Sequence, residues 1–235
     1  MTRRRWIADT HDATTATLSG EQAAHLARVL RAAPGMVYDV VAGGHLHRAE
    51  IKSVAEDAVV FTLHEELATA AALPVTLLLS IFKFDHMEWA IEKATELGVA
   101  RIVPVVARRT EKHLAQAAEK RIERWRRIAR EAAQQSRRSD VPEIAEAASL
   151  KVAAAGIQSG VKILFDETET QRSVSETLRD ARGAVTFALG PEGGWTAEER
   201  EMMLGAGWVP VTLGPRILRA ETAAIAAMAI AAELL

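Results

Sequence analysis

Apolar and polar residues follow two different rhythms along the chain. As far as about Leu73 the pattern is strand-like with one helix. In "LSGEQAAHLARVLR", Leu26, Val29 and Leu30 form an apolar face, and Ser19 with Gln22 has the spacing of a capping box. "MVYDVVAGGHLHRAEIKSV" reads as two strands joined at Gly43 and Gly44, and "AVVFTLHEEL" as a third, which together predict a small β-rich unit of barrel type. After a weak linker signal at 65–74 the order becomes strand, helix, strand. "PVTLLLSIF" is a continuous apolar run suited to a strand covered on both faces. "DHMEWAIEKATELG" predicts a helix with Asp85 and Glu88 as its box and Gly98 as its stop, and "VARIVPVVA" is the next strand. Further helices are expected at 115–136, with strands at "VKILFD", "AVTFALG" and "WVPVTLG". The expected class is therefore α/β, a mainly parallel sheet with helices on its faces, in two domains at 1–70 and 74–235.

Composition narrows this picture. With 235 residues, 49% hydrophobic and 26% charged, the chain should form an ordinary globule, and its few aromatics point to a core of close-packed helices and aliphatic strands. A formal net charge of −2 argues against a uniformly cationic, nonspecific nucleic-acid binder. The average hides a local excess, since residues 101–138 carry twelve basic against four acidic side chains. Cysteine is absent, which excludes disulfides and thiolate metal sites and is compatible with a reducing cytoplasm. The opening "MTRRRWIADTHDATT" lacks the apolar stretch of a secretory signal, and no window approaches the roughly 20 apolar residues of a membrane span.

The candidate chemistry sits in two stretches of the same design. "VTFALGPEGGWTAEEREMM" and "VPVTLGPRILRAETAAIAAM" are each an apolar strand, Leu-Gly-Pro, a polar loop and a helix. Loops at the carboxyl ends of parallel strands present backbone amides and helix N-termini to a ligand. Gly190, Gly193 and Gly194 would allow close backbone approach, although a tight strand-to-helix turn would use them equally well. The loop lacks the lysine and Ser/Thr of a P-loop. It also lacks the GxGxxG spacing of a dinucleotide site, and no ribose-binding acid stands near Val209 and Pro210. The second loop is over-supplied with charge, because capping its alanine-rich helix needs one small polar residue rather than two arginines, a glutamate and a threonine.

These stretches, with "EKATELGV", "RWRRIAREAAQQSRR" followed by "VPEI", and "HLARVLR" near the start, resemble the bacterial ribosomal RNA small subunit methyltransferase E family over nearly the whole chain, in the family's order and spacing. The resemblance implies a PUA-like N-terminal β-barrel that docks RNA and a SPOUT-type domain whose C-terminal segment threads a deep trefoil knot, an exception to the rule against threading. It implies methylation of N3 of a uridine in 16S rRNA of the 30S subunit, with S-adenosylmethionine held in the knot, no metal, a homodimer through the knot helices, and a cytoplasmic location. Cofactor contacts would come from three loops, at Leu164 and Phe165, at Leu189, Gly190, Glu192, Gly193 and Gly194, and at Leu213, Gly214, Ile217, Leu218, Thr222 and Ala223.

Uridine N3 carries a proton and is a poor nucleophile, so methylating it requires proton removal or stabilisation of the developing anion. Arg219, Glu221 and Glu192 are the candidates, with Arg109 beside them. Arg219 and Glu221 could instead form a local ion pair that holds the loop, and Glu192 could instead favour a helix N-terminus. Thr222 is expected to cap the last helix or to touch the cofactor. Arg108, Arg109, Lys112, Arg137 and Arg138 from the positive stretch, and Arg28 and Arg31 from "HLARVLR", are the expected RNA contacts. Arg121, Arg124, Arg126 and Arg127 read as a solvated helix face. His45 and His47 lack a third ligand for zinc. Trp89, Trp125, Trp195 and Trp208 read as packing residues, Trp195 standing where the family usually has a smaller apolar side chain. A pure RNA-binding module and a nucleotide-dependent oxidoreductase are the competing classes.

Overall fold

In the computed structural model, which describes residues 5–235, the chain divides into two units, Met1–Ala71 with Ala133–Val141 and Ala72–Ala132 with Pro142–Leu235. Residues 1–4, the start of the segment read above for a leader, lie outside the described residues.

The first unit contains β1 (Trp6–Ile7), β2 (Thr10–His11), β3 (Thr15–Ser19), α1 (Gly20–Ala24), β4 (Val37–Ala42), β5 (His45–Val54) and β6 (Ala58–Leu67). They form one sheet in the order β1-β4-β5-β6-β3-β2, with β1 parallel to β4 and the other pairs antiparallel. Trp6, Leu18, Leu26, Ile51 and Phe61, each at most 2% exposed, fill its core. The helix expected here departs from its α pattern after Ala24 into a wider π-type turn, His25–Val29, in which Leu30 N–H donates to the His25 carbonyl. That wider turn changes the face. Leu26 is buried, but Val29 and Leu30 are 64% and 47% exposed. The expected Ser19–Gln22 box is not formed either. The Ser19 amide and hydroxyl both donate to Asp9, and Gln22 exchanges amide hydrogen bonds with Gln134.

Two arginines in this unit occupy left-handed backbone, Arg31 (φ 51°) and Arg137 (φ 61°). Each ends a helical turn where glycine is usual. After Arg137 the Arg138 amide bonds back to the Ala133 carbonyl while Arg137 N–H reaches Gln134, the two bonds of a Schellman cap. Left-handed backbone costs a non-glycine residue about 1–2 kcal/mol, and glycine's extra unfolded-state entropy returns about 0.5–1 kcal/mol of that. Arg31→Gly and Arg137→Gly are therefore each expected to stabilise the fold by about 0.5–1 kcal/mol in urea unfolding. A loss of stability in both would show that the side chains, not the backbone, dominate at these caps.

The second unit contains β7 (Val75–Ser80), α2 (Phe84–Glu96), β8 (Arg101–Val106), α3 (Lys112–Ala117), α4 (Ile122–Gln135, which ends in residues grouped with the first unit), β9 (Glu143–Ile144), β10 (Ala148–Ser149), α5 (Leu150–Ala155), β11 (Val161–Phe165), α6 (Val174–Arg179), β12 (Val185–Leu189), α7 (Ala197–Gly205), β13 (Val209–Val211) and α8 (Ala220–Leu234). The sheet runs β10-β8-β7-β12-β11-β13, with β9 beside β8 and every pairing parallel. Its central strands are apolar at most successive positions, as in Leu77–Leu79 and Ile163–Phe165, because both faces are covered. Leu77 and Leu79 face a core that includes Met87 and Ile91 of α2 and Ala224 and Met228 of α8, whereas Leu78 faces a second core with Val103, Leu164, Ala188, Met203 and Trp208.

Local signals fared unevenly in this unit. Gly98 follows α2 at φ 94°, the left-handed stop expected of it. Asp85 and Glu88 make no box, because α2 starts after Lys83 and Glu88 accepts two bonds from Arg124 Nε and Nη2 at 2.6 and 2.7 Å. The helices expected at 115–136 are α3, which already starts at Lys112, and α4, separated by a tight 3-10 turn at Glu119–Arg121 that no glycine or proline announces. Trp125, Trp195 and Trp208 are buried as expected, but Trp89 is 50% exposed. No helix among the described residues is long and apolar enough to cross a membrane.

Candidate active site

Parallel pairing places the carboxyl ends of β7, β12, β11 and β13 along one edge of the sheet, and the loops leaving that edge enclose a cavity of about 840 Å³. That size lies within the roughly 300–1,000 Å³ common to small-molecule sites. The loop after β11 contributes Phe165, Asp166, Glu167, Glu169 and Thr170, and the loop after β12 contributes Leu189, Gly190, Pro191, Glu192, Gly194 and Trp195. From β13 and the start of α8 come Val211 to Ala220 and Ala223, while Lys83 and His86 enter from the start of α2.

Each loop is fixed by contacts remote in sequence. Trp195, 7% exposed, donates from Nε1 to the Phe165 carbonyl at 2.9 Å and so joins the ends of β11 and β12. Its ring lies under Gly190, where a Cβ would stand 3.2 Å from the indole. Gly194 adopts φ 69°, left-handed backbone that suits glycine, and a Cβ there would push the Glu167 carboxylate, now 2.9 Å from that position, aside. Arg109, from the loop after β8, donates from Nη1 to the Gly193 carbonyl at 2.6 Å, and its stem packs against Gly193. The neighbouring Arg108 amide donates to Glu199 Oε1 at 2.7 Å, and Glu199 also closes a capping box with Thr196 at the start of α7. After β11, Asp166 accepts the Thr168 amide and hydroxyl and pairs with Arg200 Nε at 2.8 Å. In the third loop the Thr212 hydroxyl bonds both the amide and the carbonyl of Gly214.

Charge divides across the cavity wall. Asp166, Glu167, Glu169 and Glu192 stand on the loops after β11 and β12, whereas Lys83, His86, Arg216 and Arg219 stand on the start of α2 and the loop before α8. Glu198, at the start of α7, is held below the ordinary glutamate range by its own backbone amide first, then by the Thr196 hydroxyl, with Arg108 and Arg109 adding attraction. Glu192 and Arg219 are exposed at the cavity and make no side-chain hydrogen bond or ion pair among the described residues. Arg219 does not pair with Glu221. The Glu221 carboxylate is turned inward, 3% exposed, with Oε1 3.6 Å from His86 Nδ1.

Of the residues expected at the cofactor, Phe165, Leu189, Gly190, Glu192, Gly194, Leu213, Gly214, Ile217, Leu218 and Ala223 line the cavity. Leu164 is instead in the core, Gly193 backs onto Arg109, and Thr222 is exposed on α8, whose N-cap is Arg219 without a side-chain bond. Lys83 and His86 were missed. They follow directly on a predicted parallel strand, and that position at a ligand-binding edge was the signal that could have found them.

The residues expected at RNA fall in both units. Arg108, Arg109 and Lys112 are exposed in the second, as are Arg28, Arg31 and Arg137 in the first. Arg28 pairs with Glu56, and Arg138, partly buried, pairs with Asp140. Arg124 pairs with Glu88, and Arg126 with Glu123 and Glu146, so these arginines brace α4. Among the described residues no group of three or more His, Cys, Asp or Glu could hold a metal ion.

Residues 69–232 match the family model described as an RNA methyltransferase domain. Over 238 aligned residues the chain is 32% identical to the ribosomal RNA small subunit methyltransferase E of Bacillus subtilis, covering 95% of this chain and 93% of that protein. It is 34% identical to the Synechocystis protein of the same name, over 92% of this chain and 72% of that one. Among solved structures it resembles the ribosomal RNA small subunit methyltransferase E of Neisseria gonorrhoeae bound to S-adenosyl methionine, with a TM-score of 0.86 and 32% identity over 97% of this chain and 95% of that one.

Proposed function

Because the chain belongs to the ribosomal RNA small subunit methyltransferase E family, we infer that it is an S-adenosylmethionine-dependent enzyme that methylates small-subunit ribosomal RNA, its target being N3 of one uridine in 16S rRNA. The observation that carries this reading is the convergence of the loops after β11, β12 and β13 on one cavity.

The donor set suits the cofactor. An adenosine needs backbone donors and acceptors beside apolar surface, and the wall offers Phe165, Leu189, Leu213 and Leu218 together with the amides of Ile217 and Leu218, which make no backbone hydrogen bond among the described residues. When bound, the cofactor supplies an electrophilic methyl group on sulfur. The chain's part is to hold it, to exclude water and to manage the uracil charge. Glu192 takes the N3 proton, and the Arg219 guanidinium stabilises the negative charge that spreads onto the uracil oxygens.

Arg109 acts on the same site through the Gly193 carbonyl it holds. Arg109→Ala is expected to weaken binding of the product S-adenosylhomocysteine about fivefold, equivalent to about 1 kcal/mol for one surface hydrogen bond. Calorimetry measures this, and unchanged affinity would restrict Arg109 to an RNA role.

The finer architecture follows the family: a PUA-like barrel in the first unit, a trefoil knot in the second formed by the segments around 190 and 214, a homodimer through the α8 region, and work in the cytoplasm. The small side chains of α8 support the dimer, since Ala226 and Ala229 leave room for close helix approach. RNA would be held by Arg28, Arg31 and Arg137 on the first unit and by Arg108, Arg109 and Lys112 on the second; Arg138, its side chain 8% exposed and paired with Asp140, is not placed to join them. The left-handed backbone of Arg31 and Arg137 supports this, because strain is kept where a side chain is needed. The glycine variants that stabilise the fold should then each reduce affinity for 30S subunits.

Incubation with labelled S-adenosylmethionine and 30S subunits lacking the modification should transfer label to 16S rRNA, and mass spectrometry should map it to a single N3-methyluridine. Absence of transfer to either subunits or naked rRNA would refute the reading.

A further inference from the structure

One cluster at the cavity has no part in the chemistry above. His86, on the first turn of α2, lines the cavity with Nδ1 buried and without a hydrogen-bond partner. Behind it stands Glu221, whose Oε1 is 3.6 Å from that nitrogen and whose Oε2 is buried and likewise unpartnered. Asp85 Oδ2 lies 3.8 Å from the other ring nitrogen. Lys83, one turn earlier on the same wall, is exposed, and its ammonium makes no ion pair or hydrogen bond among the described residues. A carboxylate buried to 3% exposure is costly unless a cation or donor faces it, and His86 is the group that does so.

We propose that Lys83 and His86, with Glu221 as the buried counter-charge that orients the imidazole, form an oxyanion site on one wall of the cofactor cavity. The proposal rests on the methyltransferase reading and extends it to residues outside the three cofactor loops. Two partners in that reaction carry an oxyanion: the carboxylate on the cofactor's amino-acid arm and an RNA phosphate next to the target nucleotide. The acidic residues on the loops after β11 and β12 repel both, which leaves the side formed by the start of α2 and the loop before α8, where Lys83 and His86 stand with Arg216 and Arg219. Lys83 and His86 are thereby specificity residues, and Glu221 is a positioning residue that acts through His86.

The test uses the full-length protein with Lys83→Ala, His86→Ala, His86→Lys and Glu221→Gln. Calorimetry is run with S-adenosylhomocysteine and with 5′-methylthioadenosine, which lacks the amino-acid arm, and KM is measured for unmethylated 30S subunits. If the carboxylate is the ligand, the two alanine variants bind S-adenosylhomocysteine about tenfold more weakly, as expected for a lost charged hydrogen bond, and bind methylthioadenosine as before. His86→Lys restores the difference, and Glu221→Gln reproduces part of the loss. If a phosphate is the ligand, S-adenosylhomocysteine affinity stays constant while KM for the subunits rises about tenfold and its salt dependence weakens. The site is overturned if neither quantity moves, or if both small ligands weaken together in His86→Ala and His86→Lys alike, which is the signature of lost packing. Failure of the wild-type protein to bind S-adenosylhomocysteine at all would defeat the methyltransferase reading itself.

Discussion

Trp195→Ala is expected to lower the unfolding free energy by about 3–5 kcal/mol, the range for a large aromatic removed from a core, and to reduce S-adenosylhomocysteine binding below calorimetric detection. The indole contributes to the fold and the site together. It fills the core beside Leu164, Ala188, Met203 and Trp208, and through its bond to the Phe165 carbonyl and its contact with Gly190 it sets the spacing of the two loops that leave β11 and β12. Trp195→Phe separates these contributions. A six-membered ring remains while the pyrrole half of the indole and its N–H are lost, so about 1 kcal/mol of stability should disappear with the hydrogen bond, and more with the packing under Gly190, with a smaller decrease in affinity than for alanine. Urea unfolding and calorimetry on both variants measure the two effects. A stable Trp195→Ala protein with normal affinity would mean that the loops are set by other contacts.

The second large effect is expected at Arg219. Replacement by alanine should lower kcat about 10²–10³-fold, the usual consequence of removing one preorganised donor to a developing anion. S-adenosylhomocysteine affinity should change little, because Arg219 is exposed at the cavity and holds no other residue in place. Arg219→Lys keeps the charge but loses the planar fork and should recover only part of the rate. Single-turnover methyl transfer at saturating cofactor isolates the chemical step. An equal loss of affinity and rate would move Arg219 from the reacting base to the cofactor.

What was legible in the sequence depended on whether the signal was local. Leu77 to Leu79 and, apart from Thr186, the residues of β12 announce buried parallel strands because they are apolar at successive positions, and apolar on both faces means covered on both faces. Gly98 and the Gly43–Gly44 pair announce turns because their φ values of 94°, 59° and 86° are readily reached only by glycine. Capping boxes were read less well. Ser19–Gln22 and Asp85–Glu88 have the right spacing, but Gln22 bonds Gln134 and Glu88 bonds Arg124, partners 112 and 36 residues away. The boxes that do form, Ser173–Glu176 and Thr196–Glu199, have the same local pattern, so spacing alone could not tell the two kinds apart.

The sequence by itself determined the fold class, the strand-to-loop design at Leu189–Gly194 and Val211–Arg219, and the family, since each depends on residue type and order within a short stretch. Only the tertiary structure decided that Trp195 bridges to Phe165, that Arg109 holds Gly193, and that Glu221 turns inward to His86 rather than outward to Arg219. These pairs lie 30, 84 and 135 positions apart, and a hydrogen bond or ion pair is set by distances of about 3–4 Å in space, which chain spacing does not encode.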